Sequence, residues 1–187
     1  MLLTLIVTRA TLPDPAWETA ITNRLGATWR AQIFFLDQGV RQVADARWST
    51  LQPGGERIYC AHDHAQHHGP PPAPGILPGG LANLGRMIRE SDYSLTLPKM
   101  HWPAQPGKQG VKPVVILLAA DDPQNRLTEA ARLAAGLAGC GHHVTLHSPV
   151  TPGPLFSLAA APYLEALQAL GGAIAPTSPE APVILRL

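Results

Sequence analysis

Apolar residues occur along this chain in two alternating textures: short unbroken runs, and longer stretches where they recur every three or four positions. LLTLIVT (2–8) is continuous and rich in β-branched residues, the pattern of a strand covered on both faces. DPAWETAITNRLGATWRA (14–31) follows, with Asp14 placed to cap a helix, Pro15 in its first position, and Trp17, Ile21, Leu25 and Trp29 recurring every four residues. QIFFLDQGV (32–40) predicts a second buried strand ending near Asp37 and Gly39, VADARWSTLQ a short helix, and RIYCA (57–61) a third strand. GPPPAPGILPGG (69–80), with five prolines and four glycines, reads as loop. LANLGRMIRES (81–91) has helical spacing through Leu81, Leu84, Met87 and Ile88, and YSLTL (93–97) is a fourth strand.

PKMHWPAQPGKQG (98–110) has the Pro, Gly and Lys content of a linker. Beyond it the textures repeat: VVILLAA (114–120) as strand, NRLTEAARLAAGLAG as a helix with Leu127, Ala131, Ala134 and Ala138 inward, HVTLH as strand, PYLEALQALGG (162–172) as helix and PVILRL (182–187) as strand. Strands alternating with helices predict an α/β fold, a mainly parallel sheet flanked by helices, with a shorter second α/β half echoing the first. The units are 1–97 and 111–187 around the linker, and periodicity leaves open whether the second half docks on the first or extends its sheet.

With 187 residues, 45% hydrophobic and 14% charged, the chain can bury a core as one full-sized domain or two small ones. A formal charge of +1 and no Lys/Arg run argue against nucleic acid or anionic lipid as partners. The opening MLLTLIVTRATLPDP has too short an apolar run and no basic leader, so it reads as strand and not signal sequence. No run approaches the roughly 20 apolar residues of a membrane span. Two cysteines in different segments make no disulfide framework, and a reducing cytoplasm is the expected location.

In parallel α/β sheets, ligands sit beyond the carboxyl ends of the strands. Here those ends carry Thr8 and Arg9, Asp37, and Cys60, which should share one edge. No GxGxxG, GxxxxGK[ST] or GxSxG is present, so no nucleotide cofactor is indicated and none is expected. Cys60 ends a strand and precedes HDHAQHH, where a helical turn would place its thiol near an amino terminus that favours the thiolate. The competing reading is a buried small hydrophobe. His62 could lower the thiol pKa or donate a proton, and His64 stands beside it. Arg9 is a counter-charge for an anionic sulfur or a solvated strand end. Asp37 is a turn former or a weak site candidate, since a carboxylate would raise the thiol pKa. A metal reading also exists, with Cys60, His62, His64 and His68 as ligands, although CxHxHxxHH matches no zinc signature and the bland alternative is solvated surface histidines at 67 and 68. Cys140, between two glycines at a helix end, reads as packing, as do Trp17, Trp29 and Trp48 on inward helix faces.

FFLDQGV (34–40), ARWSTL (46–51), IYCA (58–61) and GILPGGLANLGRMIRESDYSLTL (75–97) occur in the order of similar stretches in the DsrE/DsrF-like sulfur-relay family, which residues 1–97 resemble; the second half is similar more loosely. The resemblance implies a DsrE/flavodoxin-like sheet and a sulfurtransferase role, in which a cysteine accepts sulfane sulfur as a persulfide and passes it to a partner. Cys60 matches the family's cysteine position. It further implies donor and acceptor proteins with reactive cysteines and a homo- or hetero-oligomer. HDHAQHH replaces the family's usual apolar run and basic pair, and the second half has no matching cysteine.

Overall fold

The computed structural model describes residues 1–11, 16–51, 55–97, 100, 102, 110, 112–117, 123–147, 159–175 and 183–186. Among the described residues, nine parallel strands form the sheet: β1 (Leu2–Val7), β2 (Arg30–Phe35), β3 (Arg57–Cys60), β4 (Leu77–Gly79), β5 (Tyr93–Leu97), β6 (Pro113–Leu117), β7 (His143–His147), β8 (Ala173–Ala175) and β9 (Val183–Arg186). Their spatial order is β4-β3-β2-β1-β5-β9-β6-β7-β8. Two runs are visible in it, β4-β3-β2-β1-β5 and β9-β6-β7-β8, which meet at the single pair Ser94↔Val183. The described residues also form six α-helices: α1 (Ala16–Leu25), α2 (Arg47–Thr50), α3 (Ala61–Gln66), α4 (Leu81–Glu90), α5 (Pro123–Gly139) and α6 (Ala161–Ala169), with a 3-10 helix over Asp37–Gln42.

Residues of β1 alternate between two cores. Leu3, Leu5 and Val7 face a core shared with Trp17 and Ile21 of α1, Val40 of the 3-10 helix and Trp48 of α2. Ile6 faces the other, with Phe34, Ile58 and Cys60 from the sheet, Leu84, Met87 and Ile88 from α4, and the alanine-rich side of α5. Burial on both sides explains why the strand reads as an unbroken apolar run. Thr4, on the α4 side, is satisfied by donating to the Met87 carbonyl at 3.0 Å while accepting from Gln32 Nε2 at 3.0 Å.

The expected α/β parallel architecture is present, and β5 and β7 have the predicted boundaries. Leu127, Ala131, Ala134 and Ala138 are all buried. Three local expectations are corrected. Helix α1 stops at Leu25, because Gly26 at φ 76° closes it; Trp29 instead leads into β2, where it is buried all the same. The second strand ends at Phe35, and Asp37–Gln42 turns into the 3-10 helix. The proline-rich 69–80 stretch contains β4, an edge strand where Pro78 needs no second partner strand. Asp14, Pro15 and most of the 98–110 linker lie outside the described residues.

Candidate functional site

Strand β3 delivers Cys60 to the carboxyl edge of the sheet, opposite Gly79 of β4, and Cys60 is the residue immediately before α3. The placement is the one expected from sequence, but the environment is not. Cys60 is 1% exposed and belongs to the α4/α5-side core. Burial pushes its thiol pKa up and the Asp63 carboxylate pushes it further; the Asp63 backbone N–H and the Arg132 guanidinium pull the other way without prevailing. The exposed, low-pKa thiol expected from the strand-end position is therefore replaced by a covered, protonated one.

Asp63, which the sequence reading passed over, is the hub of this edge. Its side chain is 1% exposed; Oδ1 pairs with Arg132 of α5, and Oδ2 accepts the Asp37 backbone N–H at 2.7 Å. Arg132 also holds Glu129, with Nε 2.9 Å from Oε2. One buried carboxylate thus ties α3 to the start of the 3-10 helix and to α5. The geometry is that of a satisfied buried charge, which is costly to break and of small net worth to form.

The other candidates are dispersed. Asp37 is buried, adopts φ 52°, and faces His67, whose Nε2 is 3.2 Å from Asp37 Oδ1. Burial raises the Asp37 pKa, while His67 and Arg126 act against the rise. Arg9 offers its carbonyl to Gln42 Nε2 at 2.5 Å, and the cation acting on Cys60 is Arg132. His64 donates from Nε2 to the Pro70 carbonyl at 2.9 Å and tilts against Tyr59 at 4.7 Å, so it braces the 69–80 segment. His62 is exposed, and His68 is exposed at φ 48°. Among the described residues, the group that brings metal-ligating atoms together is His62, Asp63 and Glu129, within 4.8 Å of one another; the set Cys60, His62, His64 and His68 does not converge. Arg132 already sits on both carboxylates of that trio. Cys140 packs against Gly85 and points its sulfur toward the Leu81 carbonyl at 3.9 Å, which is a packing role.

Beside this edge a cavity of about 460 Å³ opens between the 3-10 helix, the carboxyl end of α3 and the first turns of α5, lined by Asp37, Gln38, His67, Arg126, Thr128 and Glu129 among others. Of these, the sequence reading had singled out only Asp37 as a site candidate. Spacing could not show the rest, because the 3-10 helix, α3 and α5 come together only in the fold. Comparisons with protein-family models, with curated proteins and with solved structures gave no match to the chain.

Proposed function

We propose that the chain is a sulfur-relay protein of the DsrE/DsrF-like kind, accepting sulfane sulfur on Cys60 and passing it to a partner cysteine in the cytoplasm. The observation that carries this reading is the position of Cys60, at the end of β3 and directly before α3, on the edge where parallel sheets do their chemistry. In the transfer, the Cys60 thiolate attacks the outer sulfur of a donor persulfide. The new S–S bond forms as the donor's S–S bond breaks, the donor leaves as a thiolate, and the proton stays on the terminal sulfur of Cys60. With the thiol covered and its pKa raised, the residues packed over it must move for the donor to reach it, so the acceptor is a gated one. Among the described residues no helix is long and apolar enough to cross a membrane, which is compatible with this setting.

The same burial favours a second reading, a non-catalytic assembly subunit in which Cys60 is core. Incubation with polysulfide followed by intact-protein mass spectrometry separates the two. Sulfur relay gives a gain of about 32 Da per sulfur that maps to Cys60 and disappears in Cys60→Ser. No gain, or a gain that survives Cys60→Ser, leaves the assembly reading.

A further inference from the structure

Two charged groups act on Cys60, and they come from different halves of the chain. Asp63 is the third residue of α3, with Cys60 immediately before that helix, which stands its carboxylate beside the thiol. The carboxylate is fixed there: Oδ1 pairs with Arg132 and Oδ2 accepts the Asp37 backbone N–H at 2.7 Å. Arg132 is fixed in turn by Glu129, with Nε 2.9 Å from Oε2, and its guanidinium is the cation that acts on the sulfur. His62 is the titratable neighbour, exposed, with a ring nitrogen within 4.8 Å of an oxygen of each carboxylate. Residues 1–97 thus hold the thiol and one of the charges, and the second half, which has no matching cysteine, holds the other.

Resting on the sulfur-relay reading, we infer that Asp63 and Arg132 are positioning residues that set the reactivity of Cys60 in opposite senses: Asp63 keeps the proton on the sulfur at rest, and Arg132, supplied by the second half, steadies the sulfur once it is anionic. Ionisation breaks the S–H bond, gives the proton to water and leaves the electron pair on sulfur, and that pair attacks the donor persulfide. A carboxylate beside a thiol disfavours the anion and a guanidinium favours it. Asp63 and Arg132 are both largely covered, so solvent and salt screen these two effects little. The second half therefore takes part in the sulfur chemistry without a cysteine of its own.

The test titrates the full chain carrying Cys140→Ser, in which Cys60 is the sole thiol, and reads the thiolate by its ultraviolet absorbance from about pH 8 upward, above the ordinary histidine range. Each variant is first shown to keep the native near-ultraviolet circular dichroism. Asp63→Asn should lower the Cys60 midpoint by about one pH unit or more, Arg132→Gln should raise it, and Arg132→Lys should stay near the parent. A loosened fold would instead move every variant downward, by wetting the thiol. Asp63→Asn combined with Arg132→Gln strands no charge and serves where a single variant fails to fold; its midpoint should lie below the parent's, because Asp63 acts on the thiol more strongly than Arg132 does. Single variants that shift together, an Asp63→Asn midpoint at the parent value, or a double variant at or above it overturns the assignment. No sulfur donor enters the titration, so its failure is distinct from failure of the relay reading, which polysulfide labelling of Cys60 decides.

Discussion

Cys60 shows how far a residue's chemistry depends on neighbours remote in sequence. Its thiol is covered and held protonated mainly by burial, so native-state alkylation at pH 7 should be slow compared with the same cysteine in denaturant, and should accelerate only above the ordinary thiol pKa of about 8.5. Stability follows the same proton. Between the unfolded thiol pKa and the raised folded one, the native state binds more protons than the unfolded state, so unfolding free energy falls as pH rises through that window. Denaturant titrations from pH 7 to 10 should show this loss in the native protein and a flatter profile in Cys60→Ala. A steeper alkaline loss in Cys60→Ala would contradict the protonated, buried thiol. The strand-end position of Cys60 was legible, because RIYC has the apolar pattern of a strand and a polar segment follows. Its burial stayed one of two open readings, because the core it joins includes α5, a helix that lies beyond the linker.

Elements announced themselves in proportion to their length and regularity. Helix α5, with 17 residues and a small-residue face, and β1, with six apolar or β-branched positions, were plain in the sequence. Strands β4 and β8, three residues each, were not: LPG and AIA contain no alternation to detect. Trp29 fell on the four-residue rhythm of α1 by coincidence of spacing, although Gly26 was present to break it. Close contact between elements also depends on glycine. A Cβ on Gly39 would lie 1.9 Å from the Val7 carbonyl oxygen, a backbone atom with little freedom to retreat. Gly39→Ala should therefore push the 3-10 helix off the end of β1 and lower stability by about 1–3 kcal/mol, read as a shift in the urea midpoint. At Gly85 the neighbour is Cys140, with Cβ at 2.7 Å and Sγ at 2.9 Å. Helix propensity favours alanine there by about 1 kcal/mol. The α4–α5 contact opposes it more strongly, so Gly85→Ala should be net destabilising, and equal or improved stability would mean that the two helices separate at little cost.

Across the whole molecule, the second run of strands repeats the arrangement of the first. In β4-β3-β2-β1-β5 the chain steps outward from β1 and then returns to its other side; β8-β7-β6-β9 does the same with one strand fewer. The helices after β1 and β6 lie on opposite faces, α1 on one core and α5 on the other, as a half-turn about an axis along the strands requires. The echo heard in the sequence is thus a topological one. Beyond the sheet, the halves are joined by the packing of α4 on α5, by hydrogen bonds such as His142 Nε2 to the Gly85 carbonyl, and by Arg132 reaching Asp63. Removing either partner of so buried a pair should cost about 3–5 kcal/mol, since the other charge is stranded. Asp63→Asn and Arg132→Met should each lower the midpoint strongly, while the double variant costs much less than the sum; additive losses would show that the two side chains act independently.

Strand β9 lies between β5 and β6, yet comes after β8 in the chain. Until synthesis reaches it, β5 and β6 present bare backbone amides and carbonyls to whatever else is nearby, including sister molecules. The nascent protein accordingly passes through a sticky interval that closes when four late residues slot into the gap, and any nick or premature stop ahead of Val183 would make that interval permanent.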